Sequence, residues 1–457
     1  MMRLRPGFLV ILMVLAGCSL APEYKRPTDV APPAWKYQAA KPQPPGTPIS
    51  ADWWKLFGKA ELDRLMIEAL SNNRDLTAAV QRIDQFRALA KIAGAPLLPV
   101  VSAGGNYNYN DGSRFKSGES TWQGQWTLSY EIDLWGRLRA GRDSARAHLA
   151  NARFSLDALR LSVMGDVAQS YFALLGLRDR RAIALDNLKN ISDVLVIIQS
   201  RFEAGAATAL DVAQQQTERA NAAAAVARID QQIAQSENAL AVLIGRPPQQ
   251  FEPDRRGLQG VQIPAADPAR PSMLFEQRPD IQSAEADLIA AHADIGVARA
   301  AFYPKLELDA DNIFTAAMMS QPAGIGVALA STLTQPIFQG GRLEGELERT
   351  TARRNELIEI YRQTLLTAFQ EVEDALVLGN QAARRREELR LSVDSARQAY
   401  ELGRERYLAG ATDYQTLLNV QRSLLAARDS EVQAHVDVLT ASVLLYKALG
   451  GGWRRLE

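Results

Sequence analysis

The side chains that could do chemistry are few in this chain and lie far apart. His148, His292 and His435 sit in separate stretches of helical pattern, so their spacing is not that of a metal site. Cys18 is the only cysteine, so no disulfide can form within the chain, and the sequence contains no glycine-rich phosphate loop. The sequence therefore predicts a protein that is not an enzyme, that holds no metal or dissociable cofactor, and that takes any energy it needs from a partner.

Cys18 stands in a context that points to lipid attachment. Two arginines precede an eight-residue apolar run, which is too short to span a bilayer and is typical of a signal-peptide core. The run leads into Leu-Ala-Gly-Cys at residues 15–18, which resembles a bacterial lipobox. That motif implies removal of residues 1–17, followed by an S-diacylglycerol and an N-acyl chain on Cys18. By resemblance to lipoprotein sorting signals, Ser19 favours the outer membrane.

The chain repeats itself at a constant offset of 205 residues. The segment RFEAGA at 201–206 meets RYLAGA at 406–411. The matches extend without a gap from Asp75 against Asp280 to Gly245 against Gly450. A constant offset over about 170 positions indicates two structural repeats in one chain.

Proline-rich segments separate the predicted parts of the chain. Residues 21–50 and the stretch between the repeats contain too much proline for helix or central strand, and so predict extended chain. The organisation we predict is a lipoprotein signal peptide at 1–17, a lipid-anchored extended N-terminal segment at 18–58, the first repeat at 59–247, a linker at 248–271, and the second repeat with the C-terminus at 272–457.

Each repeat is predicted to contain a helix, two strands, a very long helix and a medium helix. The strand at 121–134 alternates strictly, with Trp122, Trp126 and Leu128 on one side and glutamines on the other. Leu306 and Leu308 alternate with carboxylates in the second repeat, where the pattern is weaker. Two readings stay open here: membrane strands with aromatic girdles, or a soluble sheet with one wet face.

The long helices favour the membrane reading. No proline interrupts 137–204 or 342–409, and the apolar spacing of four and three is that of a coiled coil. About 68 residues at ~1.5 Å each make a rod of ~100 Å. Four membrane strands would leave open edges, which lipid forbids, so two copies would supply eight strands and three copies twelve. A β-barrel would then continue into a helical tube.

Several segments together carry a family resemblance. The lipobox with CSLAPEYKRP, the entry DWWKLFG, NNRDLTAAVQRI and YLAGATDYQTLLNVQRSLLAA resemble the lipoprotein branch (NodT-type, OprM-like) of the TolC family. These are the outer-membrane channels of tripartite efflux pumps. The resemblance implies a mainly α fold with a membrane β-barrel and a tandem repeat. A homotrimer would form a twelve-stranded β-barrel continued by a twelve-helix periplasmic α-barrel.

The function implied is a passive exit duct in the outer membrane of a Gram-negative bacterium, conducting small molecules such as drugs or toxic compounds. The partners implied are a periplasmic adaptor, an inner-membrane pump of the resistance-nodulation-division class, and outer-membrane lipid. The balance of 52 Lys+Arg against 52 Asp+Glu gives no reason to expect nucleic acid. Two alternatives remain: a lipid-anchored helical scaffold without a pore, and the exit duct of a type I secretion system.

The resemblance also assigns roles to single residues. Two hairpin tips are expected to contact the adaptor, through Arg201, Ala204, Gly205, Ala206, Arg406, Ala409, Gly410 and Ala411. The periplasmic gate is expected at Tyr407, Gln415, Asn419 and Arg422, with Asp211 of a neighbouring hairpin as the acceptor for Arg422. Because 415, 419 and 422 are spaced four and three, they should share one helix face, opposite Leu417, Val420 and Leu424.

Overall fold

The computed structural model of the protein describes residues 20–27, 31–37, 49–110, 119–264, 268, 270–316 and 324–453. Within these residues the chain forms two compact units. The first comprises 20–27, 79–155 and 281–364, and contains the strands. The second comprises 31–78, 156–280 and 365–453, and is built from helices.

The order of elements repeats along the chain. The helices are α1 (Ala60–Asn72), α2 (Arg74–Gly94), α3 (Arg137–Glu203), α4 (Ala209–Leu243), α5 (Leu274–Gln277), α6 (Pro279–Ala300), α7 (Arg342–Leu408) and α8 (Tyr414–Ala448). The strands are β1 (Val100–Asn110), β2 (Glu119–Ile132), β3 (Lys305–Ala316) and β4 (Gly324–Thr334). Short 3-10 turns cover Trp53–Phe57, Ala95–Leu97, Pro248–Gln250 and Pro271–Met273. We call α3 with α4 the first hairpin, and α7 with α8 the second hairpin.

The two repeats agree in length and in their joints. Helices α3 and α7 both have 67 residues, and α4 and α8 both have 35. The Asn73 side-chain amide donates to the Leu243 carbonyl oxygen at 2.8 Å. At the positions 205 residues later, Arg278 Nη1 donates to the Ala448 carbonyl oxygen at 3.0 Å. The repeat therefore preserves the places where elements touch, even where the side chains differ.

The strands form one antiparallel sheet in the order β1-β2-β3-β4. Its register places Tyr107 opposite Trp122 and Leu128 opposite Ala310, so the apolar side chains of neighbouring strands share one face. That face is uncovered in the chain, since Leu329 is 82% exposed and Trp122 50% exposed. A soluble sheet with one wet face would bury its apolar side, so the exposure favours the membrane reading.

The opposite face of the sheet is polar and acidic. Register places Glu131 beside Glu307, and Asp309 and Asp311 follow along β3 on the same face. Below the strands, the Asp133 carboxylate accepts from the backbone N–H groups of Leu138 and Arg139, at 3.0 and 2.9 Å. This carboxylate satisfies two of the unpaired donors at the start of α3.

The helices of the second unit pack closely through small residues. Gly176 of α3 lies so near α8 that a Cβ there would overlap the Val436 side chain. Trp53 is fully buried and stacks on Tyr446, with 5.3 Å between ring centroids. Among the helices of the described ranges, none combines the length and the apolar character needed to cross a membrane.

The described part of the proline-rich stretch between the repeats is hydrogen-bonded to other segments of the second unit. The Leu258 N–H donates to the Asp179 carboxylate at 3.0 Å, and the Gln262 N–H donates to the Phe57 carbonyl oxygen at 3.0 Å. These contacts fasten it along the second unit. In the first unit, Arg26 of the N-terminal segment forms an ion pair with Glu285 at 2.7 Å.

Candidate gate and hairpin tips

The first hairpin turns at a glycine whose backbone is left-handed. Gly205 has φ of +74°. The Ala206 N–H donates to the Arg201 carbonyl oxygen at 2.7 Å, and the Gly205 N–H donates to that of Phe202 at 3.0 Å. This pair of bonds is the Schellman motif, which satisfies the last carbonyl groups of a helix. A Cβ on Gly205 would meet nothing within 4 Å, so the position needs glycine for its φ angle and not for space.

The second hairpin makes the same turn with a different N-cap. Gly410 has φ of +75°, and Ala411 and Gly410 donate to the carbonyl oxygens of Arg406 and Tyr407. Helix α8 then starts at an Asp413 cap, whose carboxylate accepts from the Thr416 N–H at 2.7 Å. Hydrogen bonding to the Thr416 side chain, followed by that to its backbone N–H, holds the pKa of Asp413 below its usual range.

The residues predicted to meet an adaptor are mostly accessible. Arg406 and the two Ala-Gly-Ala segments are exposed, namely Ala204, Gly205, Ala206, Ala409, Gly410 and Ala411. Arg201 differs, because it is half-buried and its guanidinium is engaged. Its Nη2 donates to the carbonyl oxygens of Tyr407 and Leu408 at 3.0 and 2.8 Å. Its Cζ lies 4.7 Å from the centroid of the Tyr407 ring. Arg201 therefore joins the first tip to the second.

Tyr407 does not lie with the other predicted gate residues. It is only 6% exposed and belongs to an apolar cluster between the hairpins, here called the tip cluster, formed by Val194, Ile198, Tyr407, Tyr414, Leu417 and Leu418. Burial raises the pKa of its hydroxyl. In this chain the residue packs the two hairpins together, in addition to flanking the Gly410 turn.

The other three gate residues share one exposed face of α8, as their spacing predicts. The Gln415 side-chain amide donates to the Asn419 side-chain oxygen at 3.2 Å. Arg422 lies one turn further along the same face. On the opposite side, Leu417 and Leu424 are buried and Val420 is half-buried. The structure thus presents a polar amide-amide-guanidinium row, here called the gate face, backed by apolar packing.

Within the chain, Arg422 pairs with a carboxylate other than that of Asp211, the predicted acceptor. Arg422 forms an ion pair with Glu218 of α4. The carboxylate of Asp211 is instead used locally, because it accepts from the Thr208 N–H and hydroxyl at 2.9 and 2.8 Å in a capping box. Glu218 lies seven residues after Asp211, two turns along the same side of the helix. The sequence signal for the local role of Asp211 is the capping-box pattern Thr208-x-x-Asp211.

A buried polar link near the tips was not anticipated. Gln215 is fully buried in α4, and its side-chain amide donates to the Ile191 carbonyl oxygen at 2.7 Å. Its side-chain oxygen accepts from the Tyr414 hydroxyl. Burial, followed by the charge of Glu218, raises the pKa of Tyr414 to about 12, so the hydroxyl stays a donor. The link ties α3, α4 and α8 together, and its Tyr414 directly precedes Gln415 of the gate face.

The three histidines are not part of this site. His148 lies 3.5 Å from the Asp287 carboxylate, whose hydrogen bond raises the histidine pKa. Burial lowers the pKa of His435 to about 4. Where the chain is described, no group of three His, Cys, Asp or Glu side chains is placed to hold a metal ion. Cys18 lies outside the described residues.

Comparison with known proteins decides the family. The family described as outer membrane efflux protein matches residues 65–246 and again 271–451. The chain belongs to the outer membrane efflux protein family. The two matches cover most of the chain, and each one spans a full set of helix, two strands, long helix and medium helix.

Individual relatives extend the similarity over almost the whole chain. The pyoverdine export outer membrane protein OpmQ of Pseudomonas aeruginosa is 38% identical over 466 residues, covering 97% of this chain and 95% of the relative. Outer membrane protein OprJ of the same species is 34% identical, with 98% and 97% covered. The solved outer-membrane channel OprN superposes with a TM-score of 0.88 at 29% identity, covering 95% of this chain and 100% of that chain.

Membership of the efflux family confirms the predicted class of function. The chain is an outer-membrane efflux channel, the exit duct of an efflux pump, and not an enzyme. The predicted fold class is confirmed as well, since the solved channels share the strands, long helices and tandem repeat. A scaffold without a pore is thereby excluded.

Proposed function

We propose that three copies of the chain form one duct, with a closed barrel of twelve strands in the outer membrane. The observation that carries this proposal is the four-stranded sheet, whose β1 and β4 edges are each paired on one side only. Each of the four strands carries at least one exposed large apolar side chain on that face, such as Tyr107, Trp122, Leu308 and Leu329. Lipid tolerates no open strand edge, and the smallest membrane barrels have about eight strands, so one chain is insufficient. Three copies bring twelve strands, in agreement with the resemblance described above.

Purified protein in detergent tests the assembly. Native mass spectrometry is expected to show trimers, and planar bilayers are expected to show small conductances that are mostly closed. A water-soluble monomer, obtained without detergent after removal of residues 1–18, would contradict the proposal. A stable dimer would require an eight-stranded barrel instead.

The gate face is proposed to narrow the duct at its periplasmic end. Gln415, Asn419 and Arg422 are exposed in the single chain, while the residues behind them pack into the hairpin. Three copies of this face around an axis would form rings of amides and guanidinium groups. Each guanidinium is paired with the Glu218 carboxylate of its own chain and the other two positions are uncharged amides, so the gate should discriminate weakly between small cations and anions.

The two tips are proposed to dock a periplasmic adaptor that is itself bound to an inner-membrane pump, of the resistance-nodulation-division class. Support comes from the exposed Ala-Gly-Ala turns, whose small side chains let a partner backbone approach closely. Gly205→Pro should disrupt docking, because proline enforces negative φ and removes the N–H that donates to Phe202. The matched control is Gly260→Pro, since Gly260 also has φ of +75° with open space around it but lies outside the tips.

Site-specific cross-linking to a co-expressed adaptor provides the measurement. We expect Gly205→Pro to lose adaptor cross-links and export, while trimers persist. Gly260→Pro should keep both. Normal cross-linking and export by the Gly205 variant would show that the first tip does not dock the adaptor.

A lipid on Cys18 is proposed as a second membrane anchor. The support is the lipobox sequence at 15–18, in which the cysteine thiol is the acceptor of the diacylglycerol. Cys18→Ser should abolish incorporation of labelled palmitate, and Ser19→Ala serves as the control that keeps the thiol. Labelling that persists in the Cys18 variant would rule out lipidation at this position. Trimers should still form, because the barrel holds the protein in the membrane by itself.

Pyoverdine is the first cargo that we propose to test, since OpmQ is named for its export. The chain should be expressed in a Pseudomonas aeruginosa strain lacking OpmQ, beside OpmQ itself and the empty vector. Restored pyoverdine in the medium would support the assignment. Pyoverdine retained at the vector level, with normal trimers in the membrane, would direct the search to other small compounds.

A further inference from the structure

The contact that Arg201 makes between the two hairpins has a counterpart that the single chain leaves unmade. In the repeat, Arg201 corresponds to Arg406, and Tyr407 corresponds to Phe202. Arg201 caps the C-terminal end of α7 through two carbonyl oxygens and lies over the Tyr407 ring. Arg406, by contrast, is exposed, and its guanidinium has no hydrogen-bond or ion-pair partner among the described residues.

The surroundings of the two arginines show the same asymmetry. Tyr407 is 6% exposed, whereas Phe202 is 47% exposed. Ile197 packs against the tip cluster, whereas its counterpart Leu402 is 61% exposed. Tyr407 and Ile197 are covered because they lie where the first hairpin packs against the second. Their counterparts, Phe202 and Leu402, lie on the outer sides of the hairpin pair and are exposed.

The backbone at the C-terminal end of α3 has the geometry to accept the same hydrogen bonds. The end of α3 has the same turn as the end of α7, with Gly205 and Gly410 at φ of +74° and +75°. In both turns the glycine N–H donates to the residue three positions earlier, Phe202 or Tyr407. The carbonyl oxygens of Phe202 and Glu203 are therefore placed as those of Tyr407 and Leu408 are, which are the two acceptors of Arg201.

We propose that Arg406 of one copy caps α3 of the next copy, donating to the Phe202 and Glu203 carbonyl oxygens and covering the Phe202 ring. The occupant of the exposed α7 face is thus a second copy of this chain. Because each copy offers Arg406 on one side and Phe202 on the other, the contact is heterologous and closes into a ring. This step rests on the trimer proposed above, and it assigns Arg406 to the subunit boundary instead of to the adaptor.

The chemistry of these contacts favours arginine both at position 201, within the chain, and at position 406, between copies. A guanidinium has a planar fork of donors that can reach two adjacent carbonyl oxygens, and it stacks on an aromatic face. A cation at the C-terminal end of a helix is also favourable to the helix dipole. Lysine could supply the charge but not the fork. Arg406→Lys should therefore weaken the contact less than Arg406→Ala, without restoring it fully.

Cross-linking between single-cysteine copies tests the contact. One tagged copy carries Phe202→Cys and a differently tagged copy carries Arg406→Cys, and a short bis-maleimide is added to the co-expressed, purified trimers. We expect a covalent dimer that carries both tags. The matched control places Arg201→Cys and Tyr407→Cys on separate copies, and no such dimer is expected because that contact lies within one chain. Wild-type protein controls for any reaction at Cys18.

The outcomes separate this inference from the trimer itself. Intact trimers without a Phe202–Arg406 product, or with an equal yield from the control pair, would overturn the contact and leave the trimer standing. Absence of trimers would overturn both. As a second measurement, Arg406→Ala and Phe202→Ala should each speed trimer dissociation several-fold, and the double variant should be no faster than either. Additive effects of the two changes would show that the residues do not touch.

Discussion

Removing Arg422 should raise the open probability of the channel. The guanidinium of Arg422 on α8 pairs with the carboxylate of Glu218 on α4, so the pair links the gate face to the first hairpin. Arg422→Ala breaks that link and leaves the carboxylate half-buried without its partner. We expect more frequent opening in planar bilayers and greater antibiotic leak in cells, with no loss of trimer.

The size of the effect follows from exposure and copy number. The Arg422 side chain is more than half exposed, so the pair contributes only ~0.2–1 kcal/mol. Three copies around the duct would contribute ~0.6–3 kcal/mol to the closed state if all three pairs break on opening. At ~1.4 kcal/mol for each factor of ten, the ratio of open to closed states should rise between about threefold and about 150-fold. High salt should shrink the difference, because the screening length falls from ~10 Å at 0.1 M to ~3 Å at 1 M.

Charge reversal and a matched control test whether the Arg422–Glu218 pair holds the gate closed. Arg422→Glu combined with Glu218→Arg should restore closing, whereas either reversal alone should open the channel. Arg390→Ala is the matched control, since Arg390 pairs with Glu387 of its own helix at 3.0 Å and links no hairpins. If Arg422→Ala opens the channel no more than Arg390→Ala does at low salt, the pair does not hold the gate closed.

Three other predictions concern neighbouring residues. Asn419→Asp should raise cation selectivity, measured as a shifted reversal potential in a salt gradient, because it adds three carboxylates to the gate; an unchanged potential would show that residue 419 does not line the constriction. Tyr414→Phe should leave the buried Gln215 side-chain oxygen without its donor and lower the stability of the folded tips by ~1–3 kcal/mol, measured as faster hydrogen exchange there. The double variant Tyr414→Phe with Gln215→Met should lose less stability than Tyr414→Phe alone. His435 has a pKa of about 4 in the folded protein, against ~6.5 in the unfolded chain. The stabilisation that comes from keeping this histidine neutral is therefore complete above pH ~6.5 and is lost as the pH falls toward 4. The thermal stability of His435→Gln should accordingly fall less between pH 7 and pH 5 than that of the wild type, and parallel curves would contradict the assignment.

The local features of the molecule could be predicted from the sequence alone. Proline-free stretches with apolar spacing of four and three predicted the long helices, and strict alternation predicted β2, because helix and strand periods are set by local backbone geometry. The constant offset of 205 residues predicted the repeat of α3 in α7. Glycine at 205 and 410 predicted the two turns, since a left-handed φ at a helix end is a property of the residue itself. The gate face followed from the spacing of Gln415, Asn419 and Arg422 on one helix.

The partners of these residues were decided only by the tertiary structure. Asp211 and Glu218 are both carboxylates on α4. Thr208 three residues before Asp211 is a local pattern for a capping box, but nothing in the local sequence says that Glu218 pairs with Arg422. Arg201 and Arg406 stand in nearly identical segments, yet only Arg201 reaches the other hairpin. Such choices depend on which helices pass within a few ångströms of each other, and that is set by packing between residues far apart in the chain, where side-chain type and spacing carry no information.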